Sequence, residues 1–199
     1  VTDREGKLLG KASIPCPRGA EAIADAMAES ARLAVGEAGL TMEQCASVGV
    51  ASPGTIDPVQ GIVFHAFNLG LDHVPLARMV SERLGGIPAY LENDANAAAL
   101  GEFVAGAGKG KNSLVAVTLG TGVGSGAVLE GKLYTGFNYA AFEAGHTVIR
   151  RGGRQCTCGR KGCWEAYASA TGLISSTRKA MAAHPNSARS EERRGGKEG

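Results

Sequence analysis

The sequence predicts an α/β fold, and three observations carry that prediction. Short aliphatic runs alternate with longer segments of helical period. The runs end in glycine- or asparagine-rich turns. Hydrophobic residues make up 44% of the 199, enough to bury a core in one sizeable domain or two small ones.

Taken in order, Val1 to Pro15 reads as a strand, a turn at Glu5-Gly6-Lys7, and a second strand. Such an edge awaits an earlier strand, and with no initiator Met the chain is expected to be truncated. Ala20 to Ala38 carries Ile23, Met27, Ala31 and Val35 near a four-residue spacing, an amphipathic helix with Gly39 as its stop. Val48 to Ala51 is a short buried strand running into the turn Ser52-Pro-Gly-Thr55. Gly61 to Phe64 is another strand, and Pro75 to Leu84 another helix. Ala89 to Leu91 ends in Glu92-Asn-Asp-Ala-Asn96, and the alanine-rich stretch to Ala105 is helical. Gly106 to Gly110 is the expected boundary between two lobes. Ser113 to Leu119 is a strand, followed by a glycine loop and an antiparallel partner at Gly126 to Leu129. The stretch Ser187 to Gly199 is dense in charge and glycine and has no aliphatic residue. It is read either as a solvated disordered tail or as non-native read-through, and is set aside from the fold.

The net charge of +2 is small and scattered, which gives no electrostatic footprint for nucleic acid or an anionic membrane. No apolar run is long enough to span a bilayer and no signal peptide opens the chain, so a soluble cytoplasmic protein is expected. Of the five cysteines, Cys16 and Cys45 stand alone and are expected to be ordinary buried residues. Cys156, Cys158 and Cys163 crowd into one loop, and an odd count with one cluster suits metal better than disulfides.

Three loops carry the chemistry. His146 with Cys156, Cys158 and Cys163 supplies one imidazole and three thiolates, the tetrahedral shell of a structural zinc. Gly159 and Gly162 let that loop fold back; the bland alternative is a set of free thiols. Leu119 to Gly126 follows a strand, and its backbone N–H groups either cradle phosphate oxygens or form an unliganded glycine hairpin. Glu92-Asn-Asp94 sits where a strand meets a helix, so Asn93 and Asp94 are helix caps or, alternatively, Asp94 is a base beside a ligand. Glu143 and Glu165 flank the cysteine loop. They are solvated carboxylates, or they join His146 in a ring of hydrogen-bonding groups for sugar hydroxyls that zinc holds rigid.

Together these segments resemble the ROK family of sugar kinases and related transcriptional repressors. The likeness runs from Val1 to about His184. It rests on Ser52-Pro-Gly-Thr-Ile-Asp57, on Leu91-Glu-Asn-Asp-Ala-Asn-Ala-Ala-Ala99 with Glu102, and on Leu119-Gly-Thr-Gly-Val-Gly124. Its most specific part is Glu143-Ala-Gly-His146 followed by Cys156-x-Cys-Gly-x-x-Gly-Cys163-x-Glu165-x-Tyr-x-Ser169. The resemblance implies an actin-like, hexokinase-type ATPase fold with two lobes around a cleft, incomplete here. Residues 1–105 correspond to a smaller lobe lacking its first strand and phosphate loop, and 106–186 to part of a larger lobe with the zinc loop.

The resemblance further implies an ATP-dependent, glucokinase-like sugar kinase of carbohydrate metabolism and glycolysis. It would transfer the γ-phosphate of ATP to the 6-hydroxyl of a hexose, glucose ahead of mannose, fructose or an N-acetylated hexosamine. Asp94 becomes the general base. Gly54, Asn93, Glu143, His146 and Glu165 hold the sugar; Gly120, Thr121, Gly122 and Gly124 contact ATP phosphates with Mg2+. Zinc is structural, and the full-length protein is a homodimer or homotetramer. With the first phosphate loop and part of the larger lobe lacking, the fragment alone is expected to be inactive. The alternative is the sugar-sensing domain of a ROK-type repressor. One departure is Ala141-Phe142-Glu143, where the family more often has Ala-Gly-Glu.

Overall fold

A computed structural model of the chain describes residues 1–66 and 68–185, so the tail read from Ser187 lies outside the described residues. Two compact units emerge. The first comprises Val1–Ala116 with Gly126–Phe142, and the second Val117–Ser125 with the described residues from Glu143 onward.

In the first unit, helix α1 (Ala20–Glu37) buries Ile23, Ala24, Ala28, Ala34 and Val35; of the expected stripe, Ile23 and Val35 are buried while Met27 and Ala31 are half-buried against the core. Strand β1 (Val48–Ser52) pairs in parallel with β5 (Ala89–Asn93), Val50 opposite Leu91 and Ser52 opposite Asn93. Between them lie an antiparallel sheet and a helix, the crossover that parallel strands require. The sheet is β2 (Thr55–Asp57), β3 (Ile62–Ala66) and β4 (Leu71–Val74); the helix is α2 (Leu76–Arg83). Ile23, Val63, Leu71, Leu76 and Val80 are almost wholly buried and join Val50, Ile56 and Leu91 in one core.

Helix α3 (Asp94–Val104) follows β5 directly. Its alanines allow close approach: a Cβ on Gly126 would lie 2.8 Å from the Ala99 methyl and 2.9 Å from the Ala95 carbonyl. Gly126 belongs to β7 (Val123–Leu129), the middle strand between β6 (Leu114–Leu119) and β8 (Lys132–Leu133).

In the second unit, the cysteine-loop segment leads into two helices, α4 (Glu165–Ala168) and α5 (Ala170–Ala183). The side chain of Ser169 caps α5 by accepting from the Gly172 N–H.

Two expectations need correction. Val1 to Pro15 is not a regular hairpin: only Thr2 and Leu8 form a bridge. Backbone bonds from Asp3 N–H to the Lys7 carbonyl and from Leu9 N–H to the Val1 carbonyl hold the short turn, and the Asp3 carboxylate adds side-chain bonds by accepting from the N–H groups of Glu5 and Lys7 at 3.1 and 2.8 Å. Gly10 then packs against α1 so tightly that a Cβ would lie 2.3 Å from the Ala34 carbonyl. Nor are the lone cysteines buried. Cys16 is exposed, held between Pro15 and Pro17 in a segment without secondary structure, and Cys45 is half-buried.

Candidate functional site

In the first unit the carboxyl ends of the parallel strands bring three residues together. β1 runs into Pro53-Gly54 and β5 into Asn93-Asp94, the end of a parallel sheet where α/β proteins hold ligands. Asn93 is the N-cap of α3. Its Oδ1 accepts from the N–H groups of Ala95 and Asn96 at 2.9 and 3.2 Å, and its Nδ2 donates to the Gly54 carbonyl at 3.3 Å. One side chain therefore starts the helix and ties it to the neighbouring turn. Glu92 supports it from behind, its Oε1 accepting from the Asn93 N–H at 2.8 Å and from Asn96 Nδ2 at 3.1 Å.

Gly54 has φ 94°, and a Cβ there would lie 2.1 Å from the His65 carbonyl. No other residue fits that turn without displacing β3. Asp94 stands exposed at the first position of α3, its Oδ1 2.9 Å from the Ala95 N–H. A carboxylate there is favoured by the helix dipole and faces solvent rather than core.

In the second unit the four expected metal ligands converge. A ring nitrogen of His146 and the Sγ atoms of Cys156, Cys158 and Cys163 lie within 4.8 Å of one another. Cys156 Sγ is 3.7 Å from His146 Nδ1, and Cys158 Sγ is 3.6 Å from Cys163 Sγ. A tetrahedral shell with Zn–S bonds of about 2.3 Å and Zn–N bonds of about 2.0 Å has edges of about 3.5–3.8 Å. The donor set and its spacing thus fit a structural zinc.

Gly159 and Gly162 turn the loop with φ 87° and 89°. At Gly162 a Cβ would lie 1.8 Å from the Arg150 carbonyl. The ring of backbone and charge around the sulfurs differentiates them. Hydrogen bonding from the Arg160 backbone holds the Cys158 thiol down to about 6, whereas burial pushes the Cys163 thiol up to about 11.

Glu165 is bonded through both of its carboxylate oxygens. Its Oε2 accepts from the Val123 N–H at 3.0 Å, and its Oε1 accepts from Thr157 Oγ1 at 3.1 Å and from Cys156 Sγ at 3.7 Å. It therefore braces the cysteine loop against the glycine loop. Gly122 permits this approach, since a Cβ would lie 2.5 Å from Glu165 Oε2. Gly120 and Thr121 are exposed at the tip of that loop, and Gly122 and Gly124 are half-buried.

Glu143 is exposed and begins the short 3-10 turn Ala144–His146. That turn is held by Ser125, whose buried Oγ accepts from the Ala144 N–H at 2.9 Å. It is also held by Gly145, where a Cβ would lie 2.2 Å from the Val123 carbonyl. Ser125, Gly145 and Thr157 are structural supports of the candidate site that the sequence reading missed. Only Gly145, inside the Glu-x-Gly-His segment, carried a local signal.

A family model described as the ROK family matches residues 1–194. The chain belongs to the ROK family. Its α/β fold is that of the ROK hexokinases, the actin-like ATPase class. Among curated relatives, this ROK chain is 37% identical over 188 residues to the glucokinase of Streptomyces coelicolor, covering 94% of the chain and 57% of that protein. It is 39% identical over 129 residues to the xylose repressor of Bacillus subtilis, covering 65% of the chain and 33% of that protein. Among solved structures, a ROK family glucokinase from Streptomyces griseus in complex with glucose and AMPPNP superposes with a TM-score of 0.80 at 37% identity. That match covers 92% of the chain and 57% of the solved one, so the chain spans little more than half the length of these glucokinases.

Proposed function

We propose that the whole protein is an ATP-dependent hexokinase, glucokinase-like, with Asp94 as its general base. The observation that carries this reading is the cluster of Gly54, Asn93 and Asp94 at the carboxyl end of the parallel strands, with Asp94 exposed and its two neighbours bonded to each other. In the proposed step the Asp94 carboxylate accepts the proton of the sugar's 6-hydroxyl. That oxygen then bonds to the γ-phosphorus of ATP, the bond from γ-phosphorus to the β-phosphate oxygen breaks, and ADP leaves. ATP supplies the phosphoryl group, with Mg2+ offsetting its charge.

The chain's own residues orient the reactants. Asn93 and Gly54 are assigned to sugar hydroxyls in the first unit; Glu143, His146 and Glu165 are assigned to them in the second. Because His146 turns Nδ1 toward the sulfurs, its Nε2 is the nitrogen assigned to the sugar. Gly120, Thr121, Gly122 and Gly124 are assigned to ATP phosphates through backbone N–H groups. His146, Cys156, Cys158 and Cys163 would hold a structural zinc, which would fix the imidazole ring without a part in proton or phosphoryl transfer. Glucose is the favoured hexose, given the Streptomyces relatives. A cytoplasmic homodimer or homotetramer, with lobes divided near residue 105, completes the proposal. Among the described residues no helix is long and apolar enough to cross a membrane.

The second reading, a sugar sensor within a transcriptional repressor, is favoured by the 39% identity to the Bacillus subtilis xylose repressor. ADP release by the whole protein against a panel of hexoses separates the two. Turnover driven by one hexose supports the kinase. Saturable hexose binding without ADP release assigns the protein to the sensors.

A further inference from the structure

The β3–β4 hairpin carries a second cluster of metal-binding side chains, away from the cysteines. His65 pairs with Asp72 across the ladder, and both are exposed although Val63, Leu71 and Val74 on the same two strands are buried. In a regular strand the residue after Asp72 would turn to the opposite face. His73 instead has φ 51°, a left-handed conformation uncommon outside glycine, and its ring comes round to the same side. The result is a convergent triad. His65 Nδ1 lies 2.8 Å and His73 Nδ1 3.0 Å from the same Asp72 oxygen, and the two rings meet edge to face at 5.3 Å. Phe64 supports the His73 ring from the side, at 5.4 Å. The hydrogen bond from His73 holds the Asp72 carboxyl below its ordinary value, so the triad presents an ionised oxygen beside two imidazoles.

We propose that His65, Asp72 and His73 form a second metal site that binds one divalent transition-metal ion. The three ligand atoms lie within 4.8 Å of one another. An octahedral or tetragonal shell with bonds of about 2.1 Å has neighbouring-ligand edges of about 3 Å, which the two nitrogen-to-oxygen separations match, whereas a tetrahedral shell needs edges of about 3.4 Å and a small outward shift of the rings. The ion replaces the hydrogen bonds that now join the rings to the carboxylate, so little rearrangement is required. Two imidazoles and one carboxylate are borderline donors that suit Zn2+, Ni2+ or Cu2+ rather than Mg2+ or Ca2+. Solvent water completes the coordination on this open face.

The site adjoins the candidate sugar loop without sharing a residue with it. His65 pairs with Thr55, and the His65 carbonyl is the atom that forbids a side chain at Gly54. An ion bridging β3 to β4 therefore stiffens the strand that backs this turn. The proposal does not depend on the kinase reading.

The test is calorimetric titration of tag-free protein with Ni2+, after the cysteine site has been saturated with Zn2+ and excess metal removed. The expected result is one further equivalent with micromolar affinity, weakened at least tenfold by His73→Ala and abolished in the His65→Ala/His73→Ala double variant. A second readout uses the unsubstituted protein. Ni2+ should protect His65 and His73, but not His184, from diethylpyrocarbonate, as mapped by peptide mass spectrometry. No Ni2+ binding, binding that survives in a folded double variant, or equal modification of His65 and His73 with and without Ni2+ would each overturn the proposal.

Discussion

Phe142 occupies a position that favours glycine on backbone grounds. Its φ of 64° is left-handed, and the Ala-Gly-Glu pattern usual in the family supplies glycine at that point. The departure was visible in the sequence, but its conformational meaning was not, because a φ angle leaves no trace in residue order. Gly162 shows the reverse case, a glycine that cannot be replaced. Gly162→Ala combines left-handed strain with a collision against the Arg150 carbonyl, and should destabilise the second unit by roughly 2 kcal/mol or more. Thermal melting and bound zinc per chain both read this, and an unchanged melting curve with full zinc would refute it. The thiols offer a second residue-scale test. In chelated protein Cys158 is held near 6 and Cys163 near 11, so at pH 7 iodoacetamide should label Cys158 ahead of Cys163. Labelling of Cys158 should fall away as pH drops through 6, where its thiolate is lost. Mass spectrometry across a pH series checks the order, which equal rates at the two sites would contradict.

At the scale of elements, the reading of the first three helices was close, and that of the strands and of the last helices was incomplete. α1, α2 and α3 end within a residue or two of their expected bounds, because apolar period and turn residues agree there. β2 and β4 were not legible: three and four residues give no alternation to read. Helix α5 was missed because Thr171 and Gly172 weaken its first turn, and the Ser169 cap is what starts it. The convergence of His146, Cys156, Cys158 and Cys163 was legible because the donor types and their spacing are written in the sequence. The bracing of Glu165 against Val123 was not, since those residues are 42 apart and meet only in the fold. The His65 triad was hidden for the same reason, needing strand pairing and a left-handed His73 to assemble. Asn93 is the element-scale test. Asn93→Ala removes the α3 cap and the tie to Gly54, and should cost about 1 kcal/mol of stability. Denaturant melts measure it; a loss below experimental error would mean that the cap is redundant.

At the scale of the molecule, a zinc ion on the four converging ligands would link folding to proton concentration. Three thiols and an imidazole must be deprotonated to hold the ion, so zinc affinity should fall as pH is lowered. Chelation should lower the melting point of the second unit more than that of the first, whose core contains none of the four ligands. Calorimetry with and without chelator resolves this, and equal shifts in both transitions would oppose a structural role. The chain spans 57% of the Streptomyces coelicolor glucokinase, so the whole protein is the object for activity. The most direct test of the account is Asp94→Asn in that whole protein, with hexose binding and ADP release measured side by side. The account predicts that the variant binds the hexose within a few-fold of the parent while turnover falls by about 100-fold or more, the contribution of a positioned base. Turnover preserved in the variant would contradict it.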